Sequence, residues 1–200
     1  MRRYCMLALV CLVVLTFWNA GNAYQVTSGH PRLFFIATDV PNLRSKCTGP
    51  MASDYNDLKA WCDSNMSAAL PLSSADAYEW HLTAMSFAWL ISGDGGYASR
   101  ARTLALSGVS QGLATQRPFL RALSVYYDWC YPVISSTDRQ TVGSAIAAGG
   151  MDHLTGNNWE QMTNYHSKLS RLKELAYAGL AIYGDGIDDA DAVTLCDAFR

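Results

Sequence analysis

This 200-residue chain has no excess of basic residues, and it contains few glutamates. Lys and Arg together number 15 against 17 Asp and Glu, which gives a formal net charge of -2 at pH 7. This balance excludes the strongly basic surface with which nucleic-acid-binding proteins contact phosphates. The only glutamates are Glu79, Glu160 and Glu174. A glycoside hydrolase, which needs two carboxyl groups at its active site, therefore has few candidate pairs.

Two further patterns are absent. No CxxC motif or Cys/His spacing indicates a zinc site. No run alternates apolar and polar residues long enough to predict a sheet. Apolar residues recur instead at helical spacing, as in Tyr78, Leu82 and Met85. The sequence therefore predicts an all-α fold, with about seven helices arranged in αα-hairpins.

The N-terminus has the features of a secretory signal peptide. Two arginines precede an apolar run at residues 6–18, and a small-x-small cleavage site ends at Ala23. The run is short for a membrane span of ~20 residues, so a membrane anchor is the weaker alternative. We predict that residues 1–23 are removed. Residues 24–200 would then be secreted or periplasmic, without stable membrane insertion.

Four cysteines follow the predicted signal peptide, namely Cys47, Cys62, Cys130 and Cys196. Disulfides are common in exported proteins. We predict a Cys47–Cys62 disulfide, because this pair closes a short loop. Free, buried cysteines are the alternative.

Glycine-rich turns divide the helical patterns. Residues 92–97 and 183–188 both follow an apolar helix and precede an alanine-rich one. Such repeated helix–turn–helix units are typical of stacked αα-hairpins. Gly149 and Gly150 are predicted to end another helix. The last residues still have a helical pattern without a stop signal, so we expect the chain to end inside a larger architecture.

Residues 157–166 are the most unusual stretch, and they begin the longest predicted helix, which continues to about Tyr183. Asn157 and Glu160 have the spacing of a capping box. The core stripe of this helix is predicted to contain Met162, Tyr165, Leu169, Leu172, Ala176 and Tyr183. On the side of the helix that carries this stripe, the first turn is polar and aromatic rather than apolar. The free backbone N–H groups of a first helical turn favour an anionic ligand. A simple helix cap with a solvent-facing histidine is the alternative.

Residues 126–129 form the second notable stretch. Aromatic residues at helical spacing are usually part of a core, which is the plain interpretation of Tyr127 and Trp129. Asp128 needs a partner, because burial of an unpaired carboxylate is costly. An ion pair with a neighbouring helix and a contact with a sugar hydroxyl both remain open.

Three segments resemble the N-terminal helical domain of heparinase II/III-like polysaccharide lyases. The first is His30-Pro31-Arg32-Leu33-Phe34-Phe35. The second is Tyr126-Tyr127-Asp128-Trp129-Cys130-Tyr131-Pro132, which is similar to that family's Tyr-Asp-Trp-x-Tyr-Pro segment. The third is the Asn157-Asn158 pair before a helix, although related lyases often have Asn-Asn-His where this chain has Asn-Asn-Trp. The resemblance spans most of residues 30–186.

The resemblance implies that residues 24–200 form the N-terminal part of an incomplete (α/α) toroid. It further implies β-elimination on an anionic, uronic-acid-containing polysaccharide, without a cofactor or a metal in this part of the chain. The implied catalytic residues are His166 as base or charge neutraliser, Asn158 on the uronate carboxylate and Tyr165 as a possible acid. The implied substrate-binding residues are Asn157, Trp159, Glu160, Trp129, Asp128 and Tyr127.

Two other functions remain open from the residues. A toroid glycoside hydrolase would use Asp128 with Glu160 as its carboxyl pair. An exported helical module could instead bind glycan or protein without catalysis.

Overall fold

The computed structural model describes residues 26–70, 74–156 and 165–199 and contains only helices, turns and loops over these ranges. The predicted all-α fold is confirmed. The eight α-helices of the described ranges are α1 Val40–Thr48, α2 Ala52–Asn65, α3 Ala75–Ser92, α4 Gly95–Ser110, α5 Arg117–Trp129, α6 Ser136–Thr155, α7 Tyr165–Ile182 and α8 Asp189–Ala198. Short 3-10 turns lie at Ala37–Asp39, Leu113–Thr115 and Tyr131–Val133.

Consecutive helices pack against each other in the two predicted glycine-turn units. Helix α3 packs on α4, and α7 packs on α8. Gly93 (φ 74°) and Gly184 (φ 73°) adopt the left-handed conformation that ends α3 and α7. Helix α5 lies between the two units, because it contacts both α3 and α7.

Short polar side chains begin three of the helices. Ser74 accepts a hydrogen bond from the backbone N–H of Ala77, and Ser135 accepts one from Asp138. The Asp94 carboxylate does the same for Gly96 at the start of α4. Each side chain satisfies one of the free N–H groups of a first helical turn.

The predicted helix stop at Gly149 and Gly150 is wrong, since α6 continues through both residues to Thr155. These glycines are sites of close helix packing. A Cβ atom on Gly149 would lie 2.3 Å from the carbonyl oxygen of Ala114, and one on Gly150 would lie 2.6 Å from Leu195 Cδ1. Neighbouring segments therefore occupy the space that a side chain would need.

The predicted core stripe of the long helix is wrong at Leu169, Leu172 and Ala176, although Tyr183 packs against the core. Leu169 is 47% exposed, and Leu172 and Ala176 are only half-buried. The buried face of α7 instead contains Glu174, Leu175, Ala178, Ala181 and Ile182. This face is buried because it packs against α5, α6 and α8. It includes the charged residue Glu174, which an apolar pattern does not predict.

Helix α5 is the centre of the core, which agrees with the interpretation of Tyr127 and Trp129 as core residues. Every residue from Phe119 to Trp129 except Arg121 is buried. Its interior polar groups, Ser124 and Asp128, expose no surface. They therefore need partners inside the protein.

The predicted Cys47–Cys62 disulfide is absent. All four cysteines of the described ranges are buried and free, and no two of them lie at disulfide distance. Burial raises the pKa of the Cys62 thiol to about 11. Within the described ranges, no helix is both long and apolar enough to span a membrane.

Candidate functional site

A charged network connects the N-terminal lead-in to the end of α5. Asp128 Oδ1 lies 2.6 Å from Nδ1 of His30. The same carboxylate accepts hydrogen bonds from the backbone N–H groups of Arg32 at 2.9 Å and Leu33 at 2.8 Å. Asp128 is thus the partner that fixes residues 30–33 against α5. We call His30, Arg32, Asp128 and Asp185 the lead-in clamp.

Asp185 extends this clamp to the turn after α7. Its carboxylate lies 3.1 Å from His30 Nε2 and accepts a hydrogen bond from Arg32 at 2.6 Å. Arg32 also donates to the carbonyl of Tyr183. Burial alone would raise the pKa of Asp185, but the hydrogen bond from His30 and the charge of Arg32 lower it. Asp185 is therefore an ionised partner of the clamp at neutral pH.

The candidate substrate-binding residues of α5 lie inside the protein. Tyr127 and Asp128 expose no surface, and Trp129 is 7% exposed. The ring of Tyr131 stacks on His30 at a centroid distance of 3.8 Å. Burial of Tyr127, together with the nearby Asp185 carboxylate, raises the pKa of its hydroxyl. The partners of the Asp128 carboxylate come from the lead-in rather than from a neighbouring helix, as the sequence interpretation had considered: they are the His30 ring and the backbone N–H groups of Arg32 and Leu33.

A second charged cluster joins α3, α5 and α7. Arg121 Nε donates to Glu79 Oε1 at 2.6 Å, and Arg121 Nη1 donates to Glu174 Oε1 at 2.7 Å. The Glu174 side chain is 1% exposed, whereas Arg121 and Glu79 are about one-quarter exposed. Burial raises the pKa of Glu174 against the opposing charge of Arg121. Its second oxygen, Oε2, is buried without a hydrogen-bond partner.

Further cations surround this cluster along α5 and α7. Lys173 Nζ lies 3.9 Å from Glu174 Oε1. Arg117 Nη1 lies 3.4 Å from the Ser170 hydroxyl, and its charge also acts on Glu174. We call the resulting line of side chains the polar strip; it consists of Arg117, Ser170, Lys173, Arg121, Glu79, Glu174 and Tyr177. Three cations here accompany two carboxylates, so the strip is locally cationic in an acidic chain.

Aromatic rings lie at one end of the polar strip. Tyr177 is one turn after Lys173 on α7, and its ring centroid lies 5.4 Å from that of Phe34. Phe34 is 65% exposed and also approaches Trp129 at 6.1 Å. The aromatic rings of Phe34 and Trp129 thus lie next to the polar strip at Tyr177.

His153 lies near the opposite end of the strip, in the last turn of α6. It is 7% exposed, and its Nε2 atom has no hydrogen-bond partner. Burial lowers the pKa of His153, and the positive charges of Arg171 and Arg117 lower it further. The imidazole is consequently neutral at pH 7. His153 was not selected from the sequence, because this residue belongs to no recognisable sequence motif.

The catalytic candidates of residues 157–166 are only partly described. Tyr165 and His166 form the first turn of α7, one turn before Ser170, and the structure describes their backbone but not their side chains. Asn157, Asn158, Trp159 and Glu160 lie outside the described residues. Ser170, Lys173, Glu174 and Tyr177 of the polar strip therefore lie on the same helix as His166, and the structure defines no contact between them and the His166 side chain.

The sequence contained a weak signal for the Glu79–Arg121–Glu174 cluster. Two of the three glutamates of the chain meet there, and Arg121 is the only basic residue from Phe119 to Trp129. Their meeting depends on how α3, α5 and α7 pack, which no local pattern specifies.

Two cavities lie elsewhere on the described surface. One of about 310 Å³ is lined by Leu58, Trp61, Trp80 and Ala84, and Trp80 is 76% exposed there. Another of about 260 Å³ lies beside Arg102 and Tyr126. Over the described ranges, no group of three or more His, Cys, Asp or Glu side chains is arranged to hold a metal ion.

Comparison with known proteins does not assign this chain to a family. No protein-family model matches it, and no curated protein is significantly similar to it.

Proposed function

We propose that this chain is part of a polysaccharide lyase that cleaves uronic-acid-containing glycans by β-elimination. The observation that carries the proposal is the polar strip, in which Arg117, Arg121 and Lys173 lie together on α5 and α7. A locally cationic surface bordered by aromatic rings suits an anionic sugar polymer. The motif resemblance of residues 30–35, 126–132 and 157–158 supports the same substrate class.

The reaction makes three demands on the protein. The uronate carboxylate must be neutralised, a base must remove the C5 proton, and an acid must protonate the departing glycosidic oxygen. Arg117 and Lys173 suit the first task, because both are exposed cations on the polar strip. His166 remains the candidate base, one turn before Ser170 on α7. Asn158 and Tyr165 remain the candidates for carboxylate binding and for the acid.

Elimination leaves an unsaturated sugar, whose ultraviolet absorbance gives a direct assay. We expect the full-length protein of which this chain is a part to produce this absorbance from at least one of three polymers: alginate, hyaluronan or heparosan. His166→Ala should lower the rate by roughly 100-fold or more, as removal of a general base does. His81→Ala is the matched control, since His81 lies on α3 against Trp61. Full activity of His166→Ala would remove His166 from the mechanism.

The role of the polar strip in binding the anionic substrate can be tested separately. Lys173→Ala and Arg117→Ala should raise KM, with a smaller effect on kcat, and added salt should produce the same change in the parent protein. Lys59→Ala is the control, because Lys59 is an exposed cation on α2 that pairs with Asp63. Equal KM values for the Lys173 and Lys59 variants would argue against the strip as the anion site.

A glycoside hydrolase remains the second candidate, but with a different carboxyl pair. Asp128 is enclosed by the lead-in clamp, whereas Glu79 and Glu174 share the partner Arg121 outside the clamp. Each binds Arg121 through its Oε1 atom, and the Oε2 atom of Glu174 is buried without a hydrogen-bond partner. Saturated reducing ends without ultraviolet absorbance would identify hydrolysis, and glycan binding without any product would identify a non-catalytic module.

A further inference from the structure

Phe34 combines two unusual features. Its backbone lies in the left-handed region at φ 68°, where a bulky residue is an outlier. Its side chain is 65% exposed, the largest exposure of any phenylalanine in the described ranges. Strained conformations of this kind persist only where the surrounding structure imposes them, and they cluster at ligand-binding sites.

The residues on both sides of Phe34 are firmly held. Leu33 is 2% exposed, and its N–H donates to Asp128 at 2.8 Å. Trp129 Nε1 donates to the Leu33 carbonyl at 3.4 Å, and the Phe35 ring stacks on Trp129 at 5.4 Å. The chain therefore enters and leaves position 34 along a fixed path, which projects the Phe34 ring from the surface.

The exposed ring borders the polar strip. Its centroid lies 5.4 Å from that of Tyr177, which is next in line to Lys173, Glu174 and Arg121 on the strip. A pyranose ring has an apolar face of C–H groups and polar groups around its edge. An aromatic ring beside cations and carboxylates matches both parts of such a ligand.

We propose that Phe34 is a sugar-binding platform, on which one pyranose ring of an anionic glycan stacks while a neighbouring carboxylate contacts the cations of the polar strip. The lead-in clamp then has a functional consequence, because Asp128 fixes the backbone that presents the ring. This inference rests on the glycan specificity of the proposed function, but not on the elimination chemistry.

Binding and elimination are measured separately. The probes are two oligosaccharides, one of alternating glucuronic acid and N-acetylglucosamine and one of β-linked mannuronic acid, titrated calorimetrically against the full chain. Phe34→Ala and Phe34→Gly should bind the preferred probe roughly 10-fold more weakly, as loss of an aromatic contact residue does, while Phe34→Trp should retain binding. Trp80→Ala is the matched control, since Trp80 is an exposed aromatic residue that lines the separate cavity on α2 and α3.

Thermal unfolding of the variants distinguishes a binding role from a structural one. Phe34→Gly and Phe34→Ala both remove the ring, but glycine tolerates the positive φ. We therefore expect Phe34→Gly to melt at a higher temperature than Phe34→Ala, and both to remain folded while binding is weakened.

The outcomes separate the platform from the proposed reaction. Parental affinity in both Phe34→Ala and Phe34→Gly would overturn the platform, and so would a loss of affinity in Trp80→Ala alone. Either result would leave the lyase proposal intact if the absorbance assay remained positive. Weakened binding in the Phe34 variants without any unsaturated product would support the platform and reject the lyase. Failure of the parent protein to bind either probe would overturn the platform as well.

Discussion

His30 and Asp128 are 98 positions apart in the chain, and His30 Nδ1 lies 2.6 Å from Asp128 Oδ1. This contact makes the segment before α1 part of the helical core rather than a loose N-terminal lead. It also explains how the carboxylate of Asp128 can be buried near the end of α5, where all residues from Ala122 to Trp129 are buried.

Asp128→Ala should destabilise the fold strongly. The variant removes the acceptor of His30 and of two backbone N–H groups, so buried donors are left without partners. We expect the free energy of unfolding to fall by about 3 kcal/mol or more, measured by urea denaturation. Asp57→Ala, at an exposed position of α2, should change it by less than about 0.5 kcal/mol. Similar stabilities of the two variants would mean that the clamp does not hold residues 30–33.

Arg121 and Glu174 should be strongly coupled. Arg121→Ala leaves the Glu174 carboxylate, which is 1% exposed, without its closest cation, and we expect a loss of about 3 kcal/mol in unfolding free energy. Glu174→Gln should cost less in the Arg121→Ala background than in the parent, with a coupling energy of about 1–3 kcal/mol. Glu79→Gln is the comparison, since Glu79 is 25% exposed and should contribute less than about 1 kcal/mol. Additive effects of the Arg121 and Glu174 substitutions would contradict a shared buried ion pair.

His153 should make stability depend on pH. Burial and the charges of Arg171 and Arg117 lower its pKa in the folded state, whereas the unfolded chain titrates near the ordinary value of about 6.5. The unfolded state therefore binds the proton more readily, and stability that is complete above about pH 6.5 is lost as the pH falls through the folded-state pKa. An NMR titration should place the His153 midpoint below about 6.5. The stability of His153→Gln should fall less over the same pH range, and a His153 midpoint above this value would contradict the buried, neutral imidazole.

Gly149→Ala should destabilise the protein although alanine favours helix. The new Cβ would lie 2.3 Å from the Ala114 carbonyl oxygen, and backbone cannot move aside as a flexible side chain can. We expect a loss of about 1–3 kcal/mol from overpacking, measured by thermal unfolding. Gly95→Ala at the start of α4 is the control, because nothing lies within 4 Å of its Cβ position, and a gain of about 0.5 kcal/mol is expected. Equal effects would show that α6 does not pack closely on the segment at Ala114.

Helix positions were predictable from the sequence because their signals are local. The caps at Ser74 and Ser135 and the left-handed glycine at Gly93 depend only on neighbouring residues. The same local reasoning gave a wrong helix end at Gly149 and Gly150, which lie inside α6. A glycine that ends a helix and one that permits close packing have the same sequence appearance, and only the position of Ala114 distinguishes them.

The candidate site was much less predictable. The motif at residues 126–132 drew attention to Asp128, but a carboxylate in an aromatic segment has the same pattern whether it binds a sugar or an internal histidine. Phe34 was part of a recognised segment, yet its positive φ and exposed ring follow from contacts of Leu33 and Phe35 with α5.

The sequence by itself determined an all-helical chain, its turn positions and the buried character of α5, since 3.6-residue periodicity and capping act over a few residues. Tertiary structure alone decided which face of α7 is buried, that four cysteines remain free, and that Arg121 meets Glu79 and Glu174. These features depend on how α3, α5 and α7 pack, because ion pairs and close approaches form between residues that are distant in the chain.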